Sequence, residues 1–176
     1  KTTTTYLLKA ILEQARGVKV GLIGTNQNMI GSDVIPTERT TPESFEVQKL
    51  FREMADAGCT HVVMETSSHA LYLDRVYGVR YDVGIFTNLT QDHLDFHKTM
   101  ENYCDAKAIL FRNCVTGVVN ADDPWTPRLL KDADCKVMTY AEQADADLRA
   151  ENIVLSAGGI AFDAVSGAER VPIRVN

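Results

Sequence analysis

No stretch of this sequence stays apolar for the roughly 18 residues that a membrane-spanning helix requires. Nor do the first residues show the basic-then-apolar order of a secretory leader. Cysteine is scarce: Cys59, Cys104, Cys114 and Cys135 are the four in 176 residues, and no two stand in a Cys-x-x-Cys spacing. That argues against a zinc site and against a disulfide framework, and leaves reduced, partly buried thiols in a cytoplasmic protein as the expectation. Positive charge is also short, with 18 Lys and Arg against 24 Asp and Glu and a formal net charge of -6. A nucleic-acid surface needs a concentrated basic face, so neither nucleic acid nor a membrane is expected as a partner. Binding a single nucleotide is not excluded, because a few local groups are enough for it.

What is present reads as one globular α/β domain. Hydrophobic residues make up 45% and charged residues 24%. From Lys1 to Ala15, apolar residues at 7, 8, 11, 12 and 15 mark one helix face, and Gly17 can end the helix. Val18–Gly24 reads as a buried strand and Thr25–Thr41 as a polar loop. Thr41 as cap, Pro42 at the first position and Glu43 in the first turn announce a helix whose stripe is Val47, Leu50, Phe51 and Met54, stopped by Gly58. Strands follow at 61–65 and 81–87, a helix at 99–113 with Tyr103, Ala106, Ile109 and Leu110 inward, a strand at 117–120, a short helix at 124–131 and a strand at 136–140. This alternation predicts a mostly parallel sheet with helices on both faces. Beyond Asp147, strands at 153–155, 160–165 and 170–175 separated by Gly and Ser turns predict an antiparallel β annex. The helix that opens the chain without a cap and the strand that runs into its last residue suggest a piece of a longer protein.

Four segments could carry chemistry. Lys1-Thr2-Thr3 before a helix has the form of the end of a phosphate-binding loop, in which a lysine neutralises phosphate and a hydroxyl meets Mg²⁺. Standing alone, it is more often a solvated terminus. Glu65 follows the apolar strand His61–Met64, at the carboxyl edge where open α/β sheets bind ligands, and a carboxylate there suits a hard cation. The run Asp92-His93-Leu94-Asp95 lies at another such edge, where His93 is either a ligand or a structural histidine. Lys107 has apolar or small helix neighbours; pointed inward it would shift toward its neutral form, which reacts with CO₂ to give a carbamate.

Read together, KTTT, TERTTPES, METSSHAL, FTNLTQDHLDFH, YCDAKAILF and VVNADDP, in this order and spacing, resemble the Mur ligase family over nearly the whole chain. The Thr-Thr-Pro and Ser-Ser-His-Ala-Leu runs are most similar to the branch that adds the third residue of the peptidoglycan stem peptide. The resemblance implies the central ATP-binding domain, of the P-loop nucleotide-binding type, here without its loop glycines, its N-terminal UDP-binding domain or its C-terminal domain, and inactive by itself. It implies an ATP-dependent amide ligase that acts through an acyl phosphate, with UDP-MurNAc-L-Ala-D-Glu, ATP and a diamino acid (L-Lys or meso-diaminopimelate) as partners, Mg²⁺ as cofactor and a monomeric state. By the same resemblance Lys1, Thr2 and Thr3 bind ATP, and Thr2 and Glu65 hold one Mg²⁺. His93 and Lys107, the latter as its CO₂-derived carbamate, hold a second. Thr40, Thr41, Ser67 and Arg75 meet the dipeptide substrate, and Lys1, His93 and Lys107 are the catalytic set. Leu73 stands where some members have a glutamine, so one substrate hydrogen bond is missing from the pattern. The rival readings are a non-catalytic nucleotide-binding module with this fold and another amide ligase of the superfamily.

Overall fold

The computed structural model describes residues 1–175. It divides into two compact units, 1–79 and 80–176, and its strands form two sheets rather than the single sheet expected from the alternation.

The first unit contains α1 (Thr2–Arg16), β1 (Val20–Ile23), β2 (Asn28–Ile30), β3 (Asp33–Ile35), α2 (Ser44–Asp56), β4 (His61–Met64) and α3 (Ser68–Tyr72). Its sheet runs β3-β2-β1-β4, with β1 and β4 parallel and β2 and β3 antiparallel to their neighbours. The segment 25–41 is therefore not simply a polar loop. Gly31, at φ 61, turns β2 into β3, and a Gly-Ser pair between short strands is a recognised hairpin signal. Three-residue strands are too brief to show alternation, which is why the periodicity concealed them.

Helix α1 ends as expected, with Gly17 in the left-handed region donating its N–H to Glu13 O at 3.0 Å. Its buried side differs from expectation: Thr5 and Lys9 are buried, Leu8 and Leu12 are half-buried, and Leu7 and Ile11 are exposed. Lys9 can bury its stem because Glu13 Oε1 meets its Nζ at 2.7 Å. Helix α2 starts two residues later than the capping reading placed it. Glu43 is its N-cap, and Glu43 N donates to Glu46 Oε2 at 3.2 Å. Val47, Leu50 and Met54 are buried as the stripe required. Met54 packs so close to β1 that a Cβ on Gly21 would lie 2.3 Å from its sulfur.

The second unit holds β5 (Tyr81–Phe86), α4 (Leu94–His97), α5 (Met100–Arg112), β6 (Cys114–Asn120), α6 (Thr126–Leu129), β7 (Lys136–Ala141), β8 (Leu148–Ser156), β9 (Gly159–Ser166) and β10 (Glu169–Val175). Strands β5, β6, β7 and β8 pair in parallel, and β9 and β10 continue the sheet antiparallel, so the annex extends the sheet edge. Thr99 caps α5 by accepting from Asn102 N at 3.1 Å. The core joins Phe86, Leu89, Tyr103, Cys104, Phe111, Cys114, Val119 and Leu129. Cys104 and Phe111 join Tyr103 and Ala106 among the buried residues of α5, Leu110 packs half-buried against the cluster as expected, and Ile109, also half-buried, is not part of it. Gly117 lets α5 approach, since a Cβ there would lie 2.7 Å from Phe111 Cδ1. All four cysteines are free, two buried and two partly buried, as expected.

Candidate functional site

In the first unit the carboxyl ends of β1 and β4 lie side by side because the strands pair in parallel, Ile23 opposite Met64. Glu65 follows β4 and is 2% exposed. Its Oε2 accepts from Thr2 Oγ1 at 3.1 Å and Thr25 Oγ1 at 2.9 Å, and its Oε1 accepts from Thr25 N at 3.1 Å. A Cβ on Gly24 would come within 2.8 Å of Glu65 Oε1, so glycine leaves the carboxylate room to face α1. Thr25 Oγ1 also pairs with Thr40 Oγ1 at 3.0 Å. The result is a carboxylate at the N-terminus of a helix, ringed by hydroxyls. Helix N-termini favour anions, and α1 has no acidic residue in its first turn to compete for that end. Lys1 and Thr3 are exposed beside it.

Thr41 is 1% exposed, and its hydroxyl donates to Glu65 O at 2.8 Å and accepts from Ser67 N at 3.0 Å. It does not cap α2, because this hydroxyl ties down the turn that carries Glu65. Ser67 caps α3, its Oγ accepting from Ala70 N at 3.1 Å. Arg75 donates from Nη2 to Glu43 Oε1 at 3.1 Å and from Nη1 to Thr41 O at 3.5 Å, while its buried Nε has no hydrogen-bond partner. Leu73, the departure from the family pattern, is 47% exposed and apolar.

In the second unit the segment after β5 is pinned from below. Asp123 Oδ2 accepts from Leu89 N at 2.8 Å, Asn120 Nδ2 donates to Thr87 O at 2.9 Å, and Tyr140 Oη donates to Phe86 O at 3.3 Å. This gives a physical task to the VVNADDP run, whose Asn120 and Asp123 hold the segment leading to His93. His93 sits at φ 54, uncommon for a residue with a side chain. Asp92 steadies it: Oδ1 accepts from His93 N at 2.8 Å, and Oδ2 lies 3.4 Å from Nε2. The His93 ring meets the Tyr103 ring edge-on at 5.8 Å, and Lys107 Nζ lies 4.8 Å from the same ring's centroid. His97, 4% exposed, stacks on Tyr103 at 5.1 Å. Burial first, and the Asp92 charge second, push the Tyr103 hydroxyl above its ordinary pKa. Lys107 is thus half-buried over a ring face, a setting that attracts an ammonium.

Thr2 and Glu65 therefore touch, and His93 and Lys107 share Tyr103. Sequence reasoning missed Thr25, Tyr103 as the common platform, and His97. Thr25 was accessible to it, since it stands two residues beyond β1 at a carboxyl edge; His97 and Tyr103 carried no such signal.

The family described as Mur ligase middle domain matches residues 1–176. The chain belongs to that family. This Mur ligase middle domain is 52% identical over 176 residues to a Clostridium botulinum protein named UDP-N-acetylmuramoyl-L-alanyl-D-glutamate–2,6-diaminopimelate ligase, covering 100% of the chain and 36% of that relative. A Geobacter metallireducens protein of the same name is 42% identical over 181 residues, covering 98% of the chain and 35% of the relative. A solved structure of a ligase of that name superposes with a TM-score of 0.89 at 29% identity, covering 98% of the chain and 36% of that structure. MurF from Acinetobacter baumannii, at 19% identity and a TM-score of 0.74 over 99% of the chain and 36% of its own, shares the fold. The Mur ligase middle domain thus spans little more than a third of the relatives it matches. Among the described residues no helix is long and apolar enough to cross a membrane.

Proposed function

We propose that this chain is the ATP-binding part of a cytoplasmic, monomeric ligase that joins a diamino acid to UDP-MurNAc-L-Ala-D-Glu. The names carried by relatives of 42% and 52% identity favour 2,6-diaminopimelate over L-lysine. The observation that carries the reading is the meeting of Thr2 and Glu65 at the N-terminus of α1. A hydroxyl and a carboxylate are the hard oxygen donors that Mg²⁺ prefers, set where a phosphate chain would lie on helix N–H groups.

In this reading a carboxylate oxygen of the D-Glu side chain attacks the γ-phosphorus of ATP. ADP leaves, and an acyl phosphate remains. The amine of the diamino acid then attacks the acyl carbon, phosphate leaves, the amide forms and the nitrogen loses a proton. Lys1 and the N–H groups that open α1 hold the phosphates, with Thr3 beside them. Thr25 keeps the Glu65 carboxylate aimed at Thr2. Thr40, Ser67 and Arg75 face the dipeptide, with Thr41 fixing the turn between them. Bound Mg²⁺ neutralises phosphate charge, and transfer of this kind depends mostly on such neutralisation and on positioning.

A second Mg²⁺ belongs to His93 and Lys107. Among the described residues no three His, Cys, Asp or Glu side chains form a group that could hold a metal; in this reading a carbamate on Lys107 adds hard oxygen donors beside His93. Loss of one proton from the ammonium frees the Nζ lone pair to bond to the carbon of CO₂, and loss of a second proton from the nitrogen leaves an anionic carbamate, whose oxygens are hard donors. Its formation would also exchange the ammonium–ring attraction over Tyr103 for anion–cation attraction.

The test is tripeptide-nucleotide formation by the complete ligase with each diamino acid, together with ¹³C-bicarbonate NMR on wild type and Lys107→Ala. Diaminopimelate-dependent product and a carbamate signal confined to wild type are expected. Lys107→Arg should lose most turnover, because guanidinium forms no stable carbamate. No diamino-acid-dependent phosphate release defeats the assignment, and near-normal turnover of Lys107→Arg defeats the carbamate. The 176-residue chain alone should show no turnover.

A further inference from the structure

The N–H groups of Arg75 are incompletely used. A guanidinium binds a carboxylate side-on through the parallel N–H bonds of Nε and one terminal nitrogen. In Arg75 the Nη2 donor already meets Glu43 Oε1 at 3.1 Å, the Nη1 contact to Thr41 O is long at 3.5 Å, and the buried Nε has no acceptor. Leaving a buried charged donor without an acceptor is costly, and only 17% of this side chain is exposed. The same Glu43 oxygen is also held by Arg39 Nη1. Arg39 and Glu43 are about half exposed, so water can take up what either loses on moving. The Glu43 carboxylate also accepts from the Glu46 backbone N–H in the capping box that opens α2, so the exchange is a rotation of the carboxylate about that anchor, and the bond from Glu43 N to Glu46 Oε2 is unaffected by it.

Resting on the reading of Arg75 as a substrate contact, we propose that Glu43 is a resident carboxylate that occupies half of the Arg75 fork until the substrate carboxylate displaces it onto Arg39. Glu43 is then a specificity-determining residue. An anion that can engage only one N–H gains nothing over Glu43, whereas a carboxylate that fills Nε and Nη2 together does. Arg39 makes the exchange inexpensive, because Glu43 keeps a guanidinium partner after it leaves Arg75.

The experiment measures calorimetric binding of UDP-MurNAc-L-Ala-D-Glu to the complete ligase, without ATP, for wild type, Glu43→Gln, Arg39→Gln, Glu38→Gln, Arg75→Lys and Glu43→Gln/Arg75→Lys. Glu38 is an exposed acid beside Arg39 and reports on general charge. Emptying the fork raises the competent fraction, so Glu43→Gln should tighten binding about threefold to tenfold. Arg39→Gln should weaken it by a similar factor, and Glu38→Gln should leave it within about 1.5-fold, as expected for a screened surface charge. In the Arg75→Lys background Glu43→Gln should have no effect. Weaker or unchanged binding in Glu43→Gln, or equal effects of Glu43→Gln and Glu38→Gln, overturns the proposal while leaving Arg75 as the reader. If Arg75→Lys binds like wild type, the reading of Arg75 itself fails. Thermal melts of each variant show whether a loss of binding is a loss of fold.

Discussion

Replacing Thr41 by valine removes the hydroxyl that ties the main chain of Glu65 to that of Ser67. Valine matches threonine in shape and β-branching, so packing changes little. What is removed is the oxygen that accepts from Ser67 N at 3.0 Å and donates to Glu65 O at 2.8 Å. The residue is 1% exposed, so water does not readily replace it. Each orphaned main-chain group costs about 1–3 kcal/mol. Ser67 is only half-buried, and a lower-end value for its N–H puts the total at about 2–4 kcal/mol. Thr41→Ser keeps both bonds and loses one methyl, about 1 kcal/mol. Urea unfolding followed by far-UV circular dichroism measures the difference. Hydrogen exchange of the Ser67 amide localises it, because protection there should fall in Thr41→Val and persist in Thr41→Ser. If Thr41→Val is no less stable than Thr41→Ser, the hydroxyl does not hold the turn and the account of how Glu65 is placed is wrong.

Two further outcomes follow from the second unit. Gly117→Ala puts a methyl 2.7 Å from Phe111 Cδ1 and 3.0 Å from Cys135 Sγ, and overpacking of this kind should cost about 1–3 kcal/mol in unfolding monitored by Trp125 fluorescence; an unchanged midpoint would show that α5 can lift off β6. Burial pushes the Cys104 and Cys114 thiols up to about 11, helped by the Asp105 charge at Cys104 and by the Cys135 contact at Cys114. Both pKa values lie above the ordinary thiol value of 9.0. The folded state therefore holds these protons after the unfolded chain has lost them. Their contribution is complete below about pH 9 and is lost as pH rises toward about 11. Stability should decline across that window and decline less in Cys104→Ala/Cys114→Ala. A pH-independent unfolding midpoint there, or equal reaction of all four thiols with a disulfide reagent at pH 8, contradicts it.

Local chemistry was legible where it rests on short-range rules. Gly17 closing α1, Thr99 opening α5 and the Val47, Leu50 and Met54 stripe are consequences of helix geometry that any window of the sequence contains. Placing Glu65 at a strand's carboxyl edge needed only an apolar run and a parallel-sheet rule, and the order of six motifs pointed to the family before any coordinate. The same rules failed where long-range contacts overrode them. Lys9 is buried because Glu13 neutralises it inside the packing of α1, although its helix position suggested solvent. Thr41 has good capping chemistry, yet its hydroxyl goes to Glu65 and Ser67, 24 and 26 residues away.

Which groups are present, and on which element each one lies, can be read from the chain, because helix and strand periods and cap chemistry act over a few neighbouring residues. Which of them meet is a matter of long-range packing. Parallel pairing of β1 with β4 sets Thr25 against Glu65, 40 residues apart. The fold of α4 onto α5 puts His93, His97 and Lys107 around one tyrosine ring. Such meetings depend on sheet register and on helix docking, which are fixed by the packing of the whole unit and leave no periodic trace in the chain.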